Sequence, residues 1–343
     1  MESPPGDAAS LTGATTRDQP KDGAAACRRG AAGYYIMAVM ALLSRIYFNA
    51  VFGALGGLVG WLLFGVFGDP TASDSRQWLL GGAIIGGSIG YFVVSVEAIR
   101  DRALVRFCRL ASYGMVLGAA GGALGLWVGD QVNYWLLAQY GGRRLEVALL
   151  ARGLGWLLLG WAVGLSEGVA ARSLAKLSYG AVGGALGGFL GGTLFGLLYL
   201  LPLQRGPDSA EQTALAGAVG LMILGACIGA LSALVQGLFQ PASLRVLRGW
   251  QEGRDYPLDK PRTWLGRDEA ADIPLFRDMR IEKRHALLRR EKDRFILENH
   301  APGQTQVNGT LVDGSCELHD GDRVQLGEVV LRLQLRAAAA RKR

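Results

Sequence analysis

Residues 53–60 read GALGGLVG, and the octad returns as GAAGGALG at 118–125 and as GALGGFLG at 184–191, at offsets of 65 and 66 residues. A second glycine motif follows each copy: GGSIG at 86–90, GWAVG at 160–164 and GACIG at 225–229. A unit that recurs at a fixed period is one piece of supersecondary structure used several times. Both motifs lie in apolar stretches. Residues 46–68, 77–96, 110–129, 177–204 and 212–244 each run at least 20 positions without a charge, the length a membrane-spanning helix needs. The stretch 153–171 is interrupted by Glu167, but it occupies the place of a spanning helix in the middle copy. The expectation is an all-α transmembrane bundle of six helices, built from three repeated hairpins.

The charges agree with that division. Residues 46–244 carry 20 charged side chains in 199 positions and the other 144 positions carry 45, so a membrane domain has soluble ends. The expected domains are a disordered tail at 1–32, a glycine-rich membrane domain at 33–244, a linker at 245–261, a β-sandwich at 262–336 and a basic tail at 337–343. No apolar stretch closely follows a basic start, so residues 1–32 do not read as a cleavable signal peptide. With both termini on one side, eleven Lys and Arg fall on that side of the spans and five on the other. This bias predicts a multi-pass protein of the plasma (inner) membrane with both termini cytoplasmic. The net charge of +7 is thus a topology signal, and no dense basic face with interleaved aromatics points to nucleic acid.

The glycines fall on one helical stripe, where small residues let helix backbones approach in lipid. The stripe serves contacts within one chain or between copies, which leaves a homo-oligomer open. Glu97 and Glu167 stand at the ends of the second and fourth spans. A carboxylate at membrane depth is a functional candidate, and nearby basic residues make an interfacial ion pair the plainer reading. The four cysteines share no short spacing and the three histidines do not pair, so neither a metal site nor a cofactor is expected. No phosphate-cradling loop and no nucleophile with a base is present, so no enzyme activity is expected.

After residue 260 the pattern is short strands broken by polar turns. Apolar-containing runs lie at 272–276, 285–290 and 294–298, and Asn308-Gly309 centres a hairpin signal within 306–312. The last strand alternates, with Val329, Leu331, Leu333 and Leu335 on one face. Five pieces in order, TWLGR at 263–267, DIPL at 272–275, IEKRHA at 281–286, VNG at 307–309 and LHDGDRVQLG at 318–327, resemble a forkhead-associated (FHA) domain over roughly 262–335.

That resemblance implies an eleven-stranded all-β sandwich that reads phosphothreonine peptides with loops at one end. It makes Arg267 the residue that grips the phosphate, with Lys283, Arg284 and Thr305 beside the peptide. Gly266, His285, Asn308 and Gly309 would shape the binding loop. Two positions depart from the pattern. Glu282 stands where the family has a serine that donates to phosphate, and an ionised carboxylate cannot donate. Gly303, or Gln304, falls where the family has an asparagine that holds the peptide backbone. Either Arg267, Lys283 and Arg284 outweigh Glu282, or Glu282 pairs with Arg267 or Lys283 and the partner is unphosphorylated. The functional expectation is a non-enzymatic membrane-anchored protein that recruits a phosphothreonine protein or kinase substrate. The alternative is a channel or transporter regulated by its FHA-like domain.

Overall fold

The computed structural model describes residues 22–68, 75–101, 104–140, 145–203, 210–268, 271–275, 277–292 and 294–335. The chain divides into two units, Met1–Leu43 and Ser44–Arg343. Six helices come first: α1 (Asp22–Phe67), α2 (Ser75–Asp101), α3 (Leu104–Tyr140), α4 (Leu145–Ala171), α5 (Leu174–Leu203) and α6 (Ala210–Phe239). All six are long and apolar enough to cross a membrane. Of the tail expected at 1–32, residues 1–21 lie outside the described residues and Asp22 opens α1, so residues 22–32 are helical. The basic tail 337–343 also lies outside the described residues.

The repeat in the sequence is a repeat of contacts. In each octad the first glycine faces the first glycine of a second motif: Gly53 meets Gly225, Gly118 meets Gly86 and Gly184 meets Gly160. A Cβ on any of these six would overlap the facing carbonyl oxygen. Within the central Gly-Gly pairs, Gly56, Gly121 and Gly187 face the partner helix of their own hairpin, at Ile89, Ala162 and Ile228. Their neighbours Gly57, Gly122 and Gly188 face the adjoining hairpin, at Leu221, Gly82 and Trp156. Each odd helix therefore lies in the groove between two even helices. With little hydrophobic drive between helices in lipid, such close backbone approach supplies the packing. The even helices turn inward, and Ile89, Val163 and Ile228, each three residues after the first motif glycine, fill the centre at 0–1% exposure.

α6 stops at Phe239, five residues before the end of its apolar run. Pro241 disfavours the helical conformation of Gln240 and offers no amide to continue the ladder. The chain then enters β1 (Ala242–Arg248) and β2 (Asp255–Pro257), so residues 245–261 are part of the sandwich and not a linker. The alternation of buried Ala242, Leu244 and Val246 with Ser243 and Arg245 is a strand pattern that the flanking charges obscure.

Nine further strands complete the domain: β3 (Arg262–Gly266), β4 (Ile273–Pro274), β5 (Ala286–Glu291), β6 (Arg294–Asn299), β7 (Thr305–Val307), β8 (Thr310–Leu311), β9 (Ser315–Leu318), β10 (Arg323–Leu326) and β11 (Val329–Leu335). The run expected at 272–276 shortens to the two residues of β4. One sheet has the order β2-β1-β11-β10-β7-β8 and the other β4-β3-β5-β6-β9. All pairings are antiparallel except β3 with β4, and their inner faces enclose Leu244, Val246, Leu265, Leu288, Leu297, Leu318, Val324, Leu331 and Leu333. Eleven strands in two sheets is the sandwich the resemblance implies.

β1 is an inner strand, paired with β11 from Ala242↔Leu335 to Val246↔Leu331. Leu244, Val246 and Leu258 are buried at 1% exposure. Burying them is worth about 5–9 kcal/mol at about 1.5–3 kcal/mol each, against a typical domain stability of about 5–15 kcal/mol. A fragment starting at residue 262 is therefore expected to be unfolded by circular dichroism and amide dispersion, whereas one starting at residue 240 folds. A folded 262–336 fragment would contradict the placement of β1 in the core.

Candidate functional site

Gly266 closes β3, and the segment 281–285 lies directly on it. A Cβ at Gly266 would overlap the carbonyl of Lys283, so only glycine admits this approach. Backbone bonds seal the contact: Arg267 N donates to Glu282 O (3.0 Å), and His285 N to Leu265 O (2.9 Å). Arg267 thus leaves the sheet at a fixed point. Its guanidinium is half-buried, and Nη1 meets the Met279 thioether at 2.9 Å. Its Nε is buried with no hydrogen-bond acceptor among the described residues. A thioether is a weak acceptor, so among the described residues this cation has no anionic partner of the kind a guanidinium ordinarily takes.

His285 is fully buried and holds the loop through a chain of hydrogen bonds. The amide of Glu282 donates to Nδ1 (3.1 Å), so the ring carries its proton on Nε2, which lies 3.1 Å from Thr305 Oγ1. The Thr305 hydroxyl in turn donates to Asn299 Oδ1 (2.8 Å), which also accepts from the amide of Ala301 (3.0 Å). Asn299 Nδ2 donates to the carbonyl of Val312 (2.8 Å). The 281–285 loop, the end of β6 and the start of β7 are thereby tied by one satisfied buried network. Asn299 is the member that the sequence reading missed, because a strand-end asparagine carries no motif.

Several expected roles change. Thr305 is 0% exposed, so it positions the loop and does not touch a peptide. Asn308 and Gly309 form the β7–β8 turn with φ of 52° and 87°, the left-handed pair of a tight hairpin. This turn lies at the far end of β7 from Thr305, where Asn308 bonds Asp322 and the amide of Arg323, so it does not shape the Arg267 loop. Arg284 lies over the Trp264 ring at 5.5 Å, which turns it onto the outer face of β3. Lys283 and Glu282 are exposed, and among the described residues Glu282 forms no ion pair with Arg267 or Lys283. Gly303, with φ of 77°, offers no side chain, and the exposed Gln304 follows it.

The structure brings the membrane carboxylates together at the sandwich end of the bundle. Glu97 contacts Arg45 at 2.5 Å, Lys176 at 3.0 Å and Arg106 at 3.4 Å. Glu167 accepts from Gln236 Nε2 at 2.6 Å and lies 3.7 Å from Lys176. Arg45 also donates to Gln236 Oε1 at 2.8 Å. Asp259, from the turn after β2, lies 3.9 Å from Lys176, while its carbonyl accepts from Ser173 Oγ at 3.1 Å. Burial pushes the Asp259 carboxyl above its ordinary range, against the pull of Lys176 and Arg45. Three cations and three carboxylates balance, and the sandwich supplies the third carboxylate where α6 carries Gln236. The plainer expectation, an ion pair at the helix end, holds here, but with partners from other helices.

Desolvation lowers the pKa of His285 from 6.5, while Glu282 and Asp278 oppose the shift. A group whose folded pKa is depressed contributes stability above its unfolded value and loses it as pH falls through the folded one. Protonating Nδ1 also breaks the bond from the Glu282 amide. The sandwich is therefore expected to lose thermal stability as pH falls below about 6.5. His285→Asn should lower the melting temperature at pH 7.5 and flatten that slope. An unchanged slope in the variant would show that His285 does not set the pH dependence.

Residues 245–337 match a family model described as "Inner membrane component of T3SS, cytoplasmic domain". No curated protein matches the chain. Among solved structures, the FHA domain of the CT664 protein from Chlamydia trachomatis is 27% identical, covering 28% of this chain and 99% of that one, with a TM-score of 0.26. A domain described under phosphothreonine-dependent FHA domain interactions is 26% identical over 28% of this chain and 97% of that one, TM-score 0.26. The FhaA FHA domain, solved with the intracellular domain of a second protein, is 26% identical over 27% of this chain and 99% of its own, TM-score 0.25. The C-terminal region, a two-sheet sandwich, is similar in sequence to these FHA domains and is joined to six helices of membrane-spanning length.

Proposed function

We propose that this protein is a membrane-anchored reader of phosphothreonine, whose C-terminal sandwich recruits a phosphorylated partner to the membrane surface. The observation that carries the reading is Arg267: a half-buried guanidinium whose Nε–H has no acceptor among the described residues and whose Nη1 meets the Met279 thioether. A dianionic phosphate is the ligand that such a planar donor set fits best. Exposed Lys283 adds positive potential, and Glu282, free of either cation, subtracts from it. The site is accordingly a weakened version of the FHA pattern, with affinity resting on Arg267.

The bundle serves as the anchor. Its centre is filled by Ile89, Val163 and Ile228, which favours an anchor over a conduit. The excess of Lys and Arg on the sandwich side, together with the match to a model described as a cytoplasmic domain, supports a cytoplasmic sandwich with both termini on that side. The reading assigns no chemical step to the protein.

Calorimetry of the fragment beginning at residue 240 against a phosphothreonine peptide library tests this. Charge-assisted hydrogen bonds contribute about 1.5–3 kcal/mol, so Arg267→Ala should weaken binding about 10- to 100-fold while leaving the melting temperature within a few degrees. Glu282→Ser, which restores a donor and removes a repelling charge, should tighten it several-fold. Equal affinity for phosphorylated and unphosphorylated peptides, or undiminished binding by a folded Arg267→Ala fragment, would refute the proposal.

A further inference from the structure

A second cationic site lies where the sandwich meets the bundle. The α4–α5 turn and the sandwich enclose a pocket of about 420 Å³ lined by Arg172, Leu174, Ala175, Asp259, Lys260, Pro261, Arg290 and Lys292. Four of the eight are basic. Lys260 is taken by Asp272 at 2.5 Å, and the one carboxylate of the lining, Asp259, is turned to Lys176 with its side chain 7% exposed. Arg290 Nε donates to the Lys292 carbonyl (3.1 Å) and its guanidinium lies over the Phe295 ring at 5.9 Å; its charge acts on the buried Asp259 carboxylate, but among the described residues it forms no ion-pair contact. Arg172 and Lys292 likewise form no ion pair among the described residues. The surplus positive charge of the pocket therefore belongs to Arg172, Arg290 and Lys292.

Arg172 stands at a position that ordinarily goes to glycine. The amide of Arg172 bonds Val169 O (3.0 Å) and that of Ser173 bonds Gly168 O (3.1 Å), a helix C-cap whose left-handed residue is Arg172 with φ of 52°. Only glycine adopts that conformation without steric cost, so the turn keeps an arginine where the backbone alone favours its absence. The location is also specific. α4 ends at Ala171 and α5 begins at Leu174, both in stretches long and apolar enough to span, which places Arg172 at the edge of the hydrocarbon. Leu174, on the rim of the pocket, is 83% exposed.

We propose that this pocket binds a phosphate-bearing anion in the form of an acidic phospholipid headgroup. Arg172 grips the phosphate from the bundle, Arg290 and Lys292 grip it from the sandwich, and the acyl chains run down past Leu174. Basic pockets at the ends of spanning helices suit such headgroups, because the phosphate finds donors while its chains stay in the bilayer. A bound headgroup bridges the two parts of the molecule beside the Lys176–Asp259 contact. The lipid thereby steadies the seat of the sandwich on the membrane, independently of any peptide bound near Arg267.

The test uses the full chain purified in non-ionic detergent, with native mass spectrometry and thermal shift as readouts. Phosphatidylglycerol, phosphatidylcholine and soluble glycerol 3-phosphate are titrated separately into the wild type and the Arg172→Gly/Lys292→Gln double variant. Wild type should prefer phosphatidylglycerol over phosphatidylcholine by at least about tenfold, as loss of two charge-assisted contacts implies. The double variant should lose that preference while its lipid-free melting temperature is unchanged or higher, since glycine relaxes the cap. Equal retention of phosphatidylglycerol by the variant overturns the site, and equal binding of phosphatidylcholine overturns the requirement for negative charge. Glycerol 3-phosphate binding as tightly as phosphatidylglycerol overturns the lipid assignment. Peptide binding at Arg267, measured on the same samples, should not change in any arm.

Discussion

The molecule depends on helices that meet glycine against carbonyl. Gly53 on Gly225, Gly118 on Gly86 and Gly184 on Gly160 bring neighbouring backbones closer than any side chain permits. Six helices of spanning length can then close around a centre only as wide as Ile89, Val163 and Ile228. The same constraint fixes rotation, because the two residues of each Gly-Gly pair must face different neighbours. Once rotation is fixed, the polar residues at the helix ends have no freedom to avoid one another. Arg45, Glu97, Arg106, Glu167, Lys176 and Gln236 converge because the glycines oblige them to.

That convergence explains how the sandwich is seated. Taking charges out of water is costly unless each is paired and hydrogen-bonded. Lys176, with a side chain 8% exposed, is compensated by Glu97 and Glu167 from the bundle and by Asp259 from the sandwich. α6 carries the neutral Gln236 at the place that corresponds to Glu97, counted from the second glycine motif. The bundle alone would hold an excess positive charge in this cluster, and Asp259 cancels it. Removing Asp259 would therefore disturb membrane helices some eighty residues upstream in sequence, so the sandwich is an integral cap on the bundle and not a module on a flexible tether.

The glycine octads made the six helices and their three repeated hairpins legible, since their recurrence at a fixed period marks one unit used three times. Gly266, Arg267 and His285 were singled out only through the resemblance to FHA domains, and the structure brings them together at one close backbone approach. β1 and β2 were hidden because Arg245, Arg248 and Arg254 mask a two-residue alternation that begins inside an apolar run. Thr305 was misplaced for a related reason: a threonine in a loop looks exposed until the histidine that buries it is located. The charge cluster could not be read, as its members are separated by up to about two hundred positions in sequence and the repeat that relates them is broken at α6. Arg172 was legible only as one of the inner-side cations near Glu167, because only its φ angle reveals that its position ordinarily goes to glycine.

In the proposed reading, the Arg267 guanidinium grips the phosphate, held by the Gly266–Lys283 approach and the His285–Thr305–Asn299 chain. The most direct measurement is the Nε–Hε resonance of Arg267 in the ¹⁵N-labelled fragment beginning at residue 240, followed during titration with a phosphothreonine peptide. Phosphate binding should bring a large downfield shift and slowed solvent exchange of that one proton as its acceptor arrives, with no change for the unphosphorylated peptide. A peptide that binds and perturbs other faces of the sandwich while the Arg267 signal stays in place would contradict it.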